Sequence, residues 1–471
     1  MAATPDALRR SSGCALPRPS RSAALAAALL AVVLAAGAIQ RLDAANDPVH
    51  ATPSADQRAY VRVAHDLRAL GTFGDSGLAH PFHWAPGAPA LFAAADAIAG
   101  TPAGEPLDLR AARRAQAVVG TLTVLAVFAL AALLAGRWAG VAAAAAVALY
   151  PPLVDASQVL VSEPLGALAI TAALAVVVWA WRGGAGRFAA AGVALGLACL
   201  VRADLLLAAI ILPLPAGALL WRRRGRRVAT GCTAAMLAGT LVLAGAWSWH
   251  ASSVSGHFVP VTDGGAGTLY VATYLPGHGT IFGMKHALAA DLRRAHPRYR
   301  HVPTWKIPAE AYLTFVAARH PGLGEESALR REVLRNLRVY ALGHPLSFAS
   351  MVAGKLWRMW GSYYHGGHHR VVGSTLWWHR VLVALALAGA LLGLWRARRA
   401  TFGLVLLAIA TTTAVDVGFV AEPRHAFRLL PALVAAGAAG WLLTLAEPVS
   451  DRWRRARAGA APIRPASRSA G

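Results

Sequence analysis

The sequence predicts an all-α polytopic membrane protein with about ten transmembrane helices. Three observations carry this. Of 471 residues, 56% are hydrophobic and only 14% are charged, a composition that no water-soluble domain needs. Apolar stretches approaching the ~20 residues that cross about 30 Å of hydrocarbon recur along the chain. Lys+Arg number 46 against 22 Asp+Glu, and Lys285, Lys306 and Lys355 are the only lysines. Such an excess could suit nucleic acid. The arginines, however, gather at the ends of apolar stretches, as the positive-inside rule expects. The charge reads as topology, and no nucleic-acid partner is implied.

In chain order, a basic leader (1–22) carries Arg9, Arg10, Arg18 and Arg21 ahead of the first apolar run. It resembles a signal peptide, but the many later spans favour an uncleaved first helix. Spans are expected at 23–39, 115–135, 138–150, 164–181, 188–200, 205–221, 228–247, 376–395, 402–420 and 429–445. If each crosses once, the leader, Arg222–Arg227, the arginines near 396–399 and the tail after Asp451 share the cytoplasmic side. Loops 42–114, 151–163, 248–375 and 422–428 then face outward. The run Arg110-Ala111-Ala112-Arg113-Arg114 falls outside against the rule, which long loops obey weakly. The expected organisation is an N-terminal transmembrane catalytic module (23–247), an extracytoplasmic region (248–375), C-terminal helices (376–446) and a disordered basic tail (447–471).

The region 248–375 is too long for a connector. Residues 257–265 mix short strand-like and turn signals. Leu329, Val333, Leu337 and Tyr340 recur at helical spacing before Gly343 and Pro345. Residues 347–360, apolar around Lys355 and Arg358, read as a helix lying in the outer interface. Cys14, Cys199 and Cys232 have neither disulfide nor metal spacing. His80, His83, His365, His368 and His369 raise the question of metal, but no nearby acid or cysteine completes a tetrahedral set. Solvated histidines in a Gly-rich loop are the stronger reading, and no metal ligands are assigned.

Candidate chemistry collects where spans meet the outer face. Asp56 follows Ser54, which with Gln57 makes a capping box that starts a helix. Tyr60 lies one turn on. Glu163 precedes Pro164 at a span entry, and Arg202 and Asp204 share a short turn between spans. Arg424 and Arg428 precede the last span. Each has a plain reading: a helix-start acid, a local ion pair, a snorkelling arginine. Together they supply a carboxylate that can accept a hydroxyl proton and cations that can stabilise a leaving phosphate. There is no P-loop, dinucleotide fingerprint or nucleophile elbow.

Several segments then follow in a telling order. They are Asp56 with Tyr60, Gly71-Thr72-Phe73, 85–92, Ser162-Glu163-Pro164-Leu165, Gly196–Arg202, Gly256–Pro260 and Glu422-Pro423-Arg424-His425. In that order the chain resembles the GT-C-fold integral-membrane glycosyltransferases, family 39 and its protein O-mannosyltransferase-like and aminoarabinose-transferase-like bacterial relatives. The resemblance implies a GT-C-like bundle with extracytoplasmic loops, a polyprenyl-phosphate-linked sugar donor, an extracytoplasmic acceptor and inversion at the anomeric carbon. It makes Asp56 the catalytic base or, in relatives that use a divalent cation, a metal-binding acid. Glu163 supports the site, and Arg202, Arg424, Arg428 and Lys355 are candidates for the donor phosphate. Tyr60, His83, Trp84 and Pro86 fall in the substrate loop. Two departures stand out. The family's first-loop acidic pair is here Asp56-Gln57, and its Arg-Asn pair after a tryptophan is here Trp247-Ser248-Trp249-His250. The rivals are a membrane transporter or lipid flippase, for which Asp416 is the clearest charge inside a span, and a catalytically degenerate scaffold of the same fold.

Overall fold

The computed structural model describes residues 20–48, 53, 55–73, 82–363, 373–397 and 400–459. Within them every regular element is helical. Ser54, His80, His365, His368, His369, Cys14, the leader arginines before position 20 and the tail end from 460 lie outside the described residues. Among the described residues eight helices are long and apolar enough to cross a membrane, and a bent pair makes up to nine. The protein is multi-pass.

The first half runs α1 (Arg21–Asn46), α2 (Ala55–Leu70), α3 (Gly87–Ala99), α4 (Leu109–Ala135), α5 (Arg137–Ala148), α6 (Pro151–Asp155), α7 (Glu163–Ala180), α8 (Ala185–Val201), α9 (Leu206–Ile211), α10 (Pro213–Arg224) and α11 (Arg226–Ser255). The expected span at 138–150 ends in a break. Residues 137–148 and 151–158 meet at 68°, where Pro151 and Pro152 cannot donate to a continuing helix. A broken helix in a bilayer must find new partners for its freed carbonyls. Arg41, buried in α1, supplies them. Its Nη1 donates to Ala148 O at 3.0 Å and its Nη2 to Val147 O at 3.2 Å.

The basic run at the start of α4 has a similar use. Arg113 Nε donates to Gln158 O at 3.2 Å, and Gln116 Nε2 to Val159 O and Val161 O at 3.0 and 2.8 Å. These bonds hold the backbone that leads into Glu163. At 17 residues, α8 is short for a span, yet it lies hard against α11. A Cβ on Gly192 would sit 2.0 Å from Met236 O. Small residues at helix contacts allow this backbone approach.

Between α11 and α17 lies a second hydrophobic cluster built from α12 (Gly265–Thr273), α13 (Ile281–Ala295), α14 (Ala309–Ala317) and α15 (Glu325–Asn336). Tyr270, Leu288, Leu292, Tyr312, Val316 and Leu329 fill it. The 257–265 stretch enters this unit as irregular backbone, not strand. The helical spacing read at 329–340 continues past α15 as one π-helical turn, Leu337–Leu342. α16 (Pro345–Gly361) follows, amphipathic as expected. Three further helices complete the bundle: α17 (Gly373–Ala397), α18 (Ala400–Gly418) and α19 (Pro423–Gly459). α17 and α19 meet so closely that a Cβ on Gly440 would stand 1.7 Å from Gly389 O.

Candidate active site

One end of the bundle gathers acids and arginines from five separate chain segments. α2 begins at Ala55, so Asp56 sits in its first turn, where an acid suits the helix dipole. Gln57 Oε1 accepts from Leu160 N at 3.1 Å and ties that turn to the backbone before α7. Tyr60 is buried on the same face. Its hydroxyl donates to Ser162 Oγ at 2.9 Å, and its ring lies 4.5 Å from Trp84, centroid to centroid. Burial, with the Glu163 charge adding, pushes the Tyr60 phenol well above its ordinary value. It therefore serves as a donor and not as a base.

Glu163 opens α7 and is almost fully buried. Its Oε1 pairs with Arg202 Nη1 at 3.1 Å and lies 3.7 Å from Arg424 Nε. Arg202, in extended backbone at the end of α8, also pairs with Asp204 at 2.9 Å, so the local pair expected from sequence is there. Arg424, at the start of α19, binds the Asp56 carboxylate through Nη1 and Glu422 through Nε at 2.9 Å. One turn further, Arg428 is wholly enclosed. Its Nη2 bridges Asp204 at 2.8 Å and Asp416 at 2.7 Å. The series Asp56–Arg424–Glu163–Arg202–Asp204–Arg428–Asp416 is thus one continuous chain of charges.

Exposure separates the roles. The Asp56 side chain is 41% exposed and Glu163 only 6%. Asp56 is the most exposed carboxylate of the network, with Glu422 next at 31%, while Glu163 pairs with Arg202 and lies beside Arg424 from within. A buried charge is tolerable only when paired in this way. Beside Tyr60, Trp84 meets His83 edge-on at 4.8 Å, and Pro86 is buried at the start of α3. Gly87 lets that start press against α8, since a Cβ there would stand 2.9 Å from Val201 Cα. The loop carrying Trp84 is thereby seated beside Arg202. The structure brings Asp56, Tyr60, Trp84, Glu163, Arg202 and Arg424 together.

Lys355 is placed otherwise. Its buried Nζ donates to Phe419 O at 2.5 Å and Ala272 O at 3.4 Å, pinning α16 to the end of α18 and to α12. Burial pushes this lysine down to about 8. Between that value and the ordinary value near 10.4, the unfolded chain holds the extra proton, so stability rises with pH across that window. Raising the pH from 7 to 10 is expected to raise the Tm of the wild type relative to Lys355→Met. Parallel thermal unfolding of both proteins at each pH would show it, and a constant difference would contradict it.

Glu422, Asp204 and Asp416 are site members that the sequence displayed but did not connect. Glu422 stood only as part of the Glu422-Pro423-Arg424-His425 segment, Asp204 as a purely local partner of Arg202, and Asp416 as an intramembrane charge. Among the described residues, no group of three His, Cys, Asp or Glu side chains could hold a metal ion.

Residues 85–249 match the family described as dolichyl-phosphate-mannose-protein mannosyltransferase. That segment contains Glu163 and Arg202 but neither Asp56 nor Arg424. The oligosaccharyltransferase AglB from Archaeoglobus fulgidus, in complex with an inhibitory peptide and a dolichol-phosphate, aligns over 93% of this chain with a TM-score of 0.54 and 15% identity. The chain has the GT-C fold. The same archaeal enzyme tethered with an acceptor peptide gives a TM-score of 0.55 at 17% identity over 90% of this chain. This GT-C chain spans about half the length of AglB, 52% and 50% in the two structures. ArnT from Cupriavidus metallidurans bound to undecaprenyl phosphate aligns over 88% of this chain and 78% of its own, at 18% identity. Its TM-score of 0.38 is too low to add weight. No curated protein matches the chain.

Proposed function

We propose that this GT-C protein is an inverting glycosyltransferase of the cytoplasmic membrane. It moves a sugar from a polyprenyl-phosphate donor to an extracytoplasmic acceptor, either protein, lipid or cell-envelope glycan. The observation that carries the reading is Asp56: an accessible carboxylate at the end of a membrane bundle, held by Arg424 from the far end of the chain. The family match of residues 85–249 and the dolichol-phosphate and peptide bound by AglB support a lipid-linked donor and an acceptor.

In this reading the acceptor hydroxyl gives its proton to Asp56 while its oxygen attacks the anomeric carbon. The bond from that carbon to the phosphate oxygen breaks, and polyprenyl phosphate leaves. Arg424 aims the carboxylate and sets positive charge beside the departing phosphate. Arg202 and Arg428 keep Glu163, Asp204 and Asp416 compensated, so that Arg424 is not drawn inward. Tyr60, His83, Trp84 and Pro86 form the wall beside Asp56.

In transporters, intramembrane charges often mark the substrate or ion pathway. Asp416 is instead locked by Arg428. The test is to give proteoliposomes a panel of radiolabelled polyprenyl-phosphate sugars together with envelope acceptors. Label is expected in an acceptor from one donor. Solute or lipid flux without transfer would establish the transporter, and neither activity from any donor would leave the scaffold.

A further inference from the structure

The charge network around Asp56 contains five carboxylates (Asp56, Glu163, Asp204, Asp416, Glu422) against three guanidiniums. A phosphate leaving group adds more negative charge to a site already short of cations. Further positive charge therefore has to come from outside this network.

A groove of about 640 Å³ lies between the turn at 275–279 and α16. Ser347, Ser350, Gly354 and Arg358 form one face of α16 along it, at helical spacing. Leu275, Leu346 and Met351 supply apolar walls. Arg358 stands at one end. Its Nη2 donates to His278 O at 3.2 Å, and its Nε is buried with no hydrogen-bond partner among the described residues. His278 holds that carbonyl in place from a left-handed conformation, φ 51°, which few residues other than glycine adopt. Leu346, Leu356 and Trp357 are exposed on the same helix, as on a surface that meets lipid. Burial lowers the Arg358 guanidinium from its ordinary value, and the Glu422 charge acts against that; Glu422 also binds Arg424. Arg358 and Arg424, the partner of Asp56, thus both feel the Glu422 charge.

We propose that this groove seats the phosphate and first isoprene units of a polyprenyl phosphate, with Arg358 as the phosphate ligand. The inference rests on the glycosyltransferase reading and names the donor's seat within it. A cation at the end of an apolar trough suits a single-chain lipid phosphate, because the head can be gripped while the chain runs out toward the membrane.

Two variants of the full-length protein test this, Gly354→Leu and Arg358→Gln. A Cβ at Gly354 meets nothing within 4 Å, so a side chain there starts into open groove space, and leucine favours the helix. The readout is titration of the detergent-solubilised protein with sugar-free polyprenyl phosphate, followed by native mass spectrometry. Each variant is expected to unfold at the wild-type temperature and to bind at least about tenfold more weakly, as for one lost charge-assisted hydrogen bond. Phosphatidylglycerol at equal concentration is expected not to compete. Wild-type affinity in both variants would move the lipid elsewhere and overturn the groove while leaving the donor reading intact. Equal competition by phosphatidylglycerol would also overturn it, since the groove would then read any anionic lipid. No binding of polyprenyl phosphate by the wild type would bring down the donor reading and the groove together.

Discussion

Asp56→Asn is expected to lower sugar transfer by about 10²–10⁴-fold, the usual worth of a positioned proton acceptor. Membrane insertion and thermal stability should stay close to wild type. The asparagine keeps the size of the side chain and still offers an oxygen to Arg424, so the helix start and its tie to α19 survive. What it cannot do is take a proton from the acceptor. The change should therefore fall on turnover and leave the apparent donor KM within a few-fold. An initial-rate series over donor concentration separates the two. Normal turnover in Asp56→Asn would remove this residue from the chemistry.

The second large effect is structural. Among the described residues Arg428 is the guanidinium paired with Asp416, and both are buried where water cannot replace a lost partner. Arg428→Met is expected to cost about 3–5 kcal/mol, because it leaves the Asp416 charge uncompensated. Adding Asp416→Leu should recover most of that loss, since two apolar groups replace the pair and Asp204 keeps Arg202. Denaturant unfolding of the wild type, both single variants and the double variant gives the coupling directly. If Arg428→Met and the double variant were equally unstable, the pair would not be what holds α18 to α19.

Much of the fold could be read from hydropathy, because a bilayer forces each crossing segment to be apolar and helical. The all-α, multi-pass architecture follows from the sequence in this way, whereas the likeness to GT-C glycosyltransferases rests on the order of particular segments such as Ser162-Glu163-Pro164-Leu165 and Glu422-Pro423-Arg424-His425. The break between α5 and α6 did not, since the stretch stays apolar through its 68° bend and only Pro151-Pro152 hints at it. The basic run at 110–114, awkward as topology, makes sense once Arg113 is seen holding the carbonyl of Gln158.

Asp56, Glu163, Arg202 and Arg424 were each visible as polar residues at the mouth of an apolar span. That they touch was not visible. The Asp56–Arg424 contact joins residues 368 positions apart, and no local pattern encodes it. Arg358 was harder still. On a helix that reads as interfacial it is one more snorkelling arginine. Only the turn at His278, 80 residues earlier in the chain, makes a groove beside it.

The measurement that bears most directly on the account is the anomeric configuration of the transferred sugar, read by NMR on product made by the purified protein from a single labelled donor. Direct attack by an acceptor hydroxyl on the carbon bound to phosphate, with Asp56 taking the proton, inverts that centre. The account predicts an inverted linkage. A retained linkage would require a covalent sugar on a carboxylate before the acceptor arrives. That result would contradict the role given to Asp56 as a base.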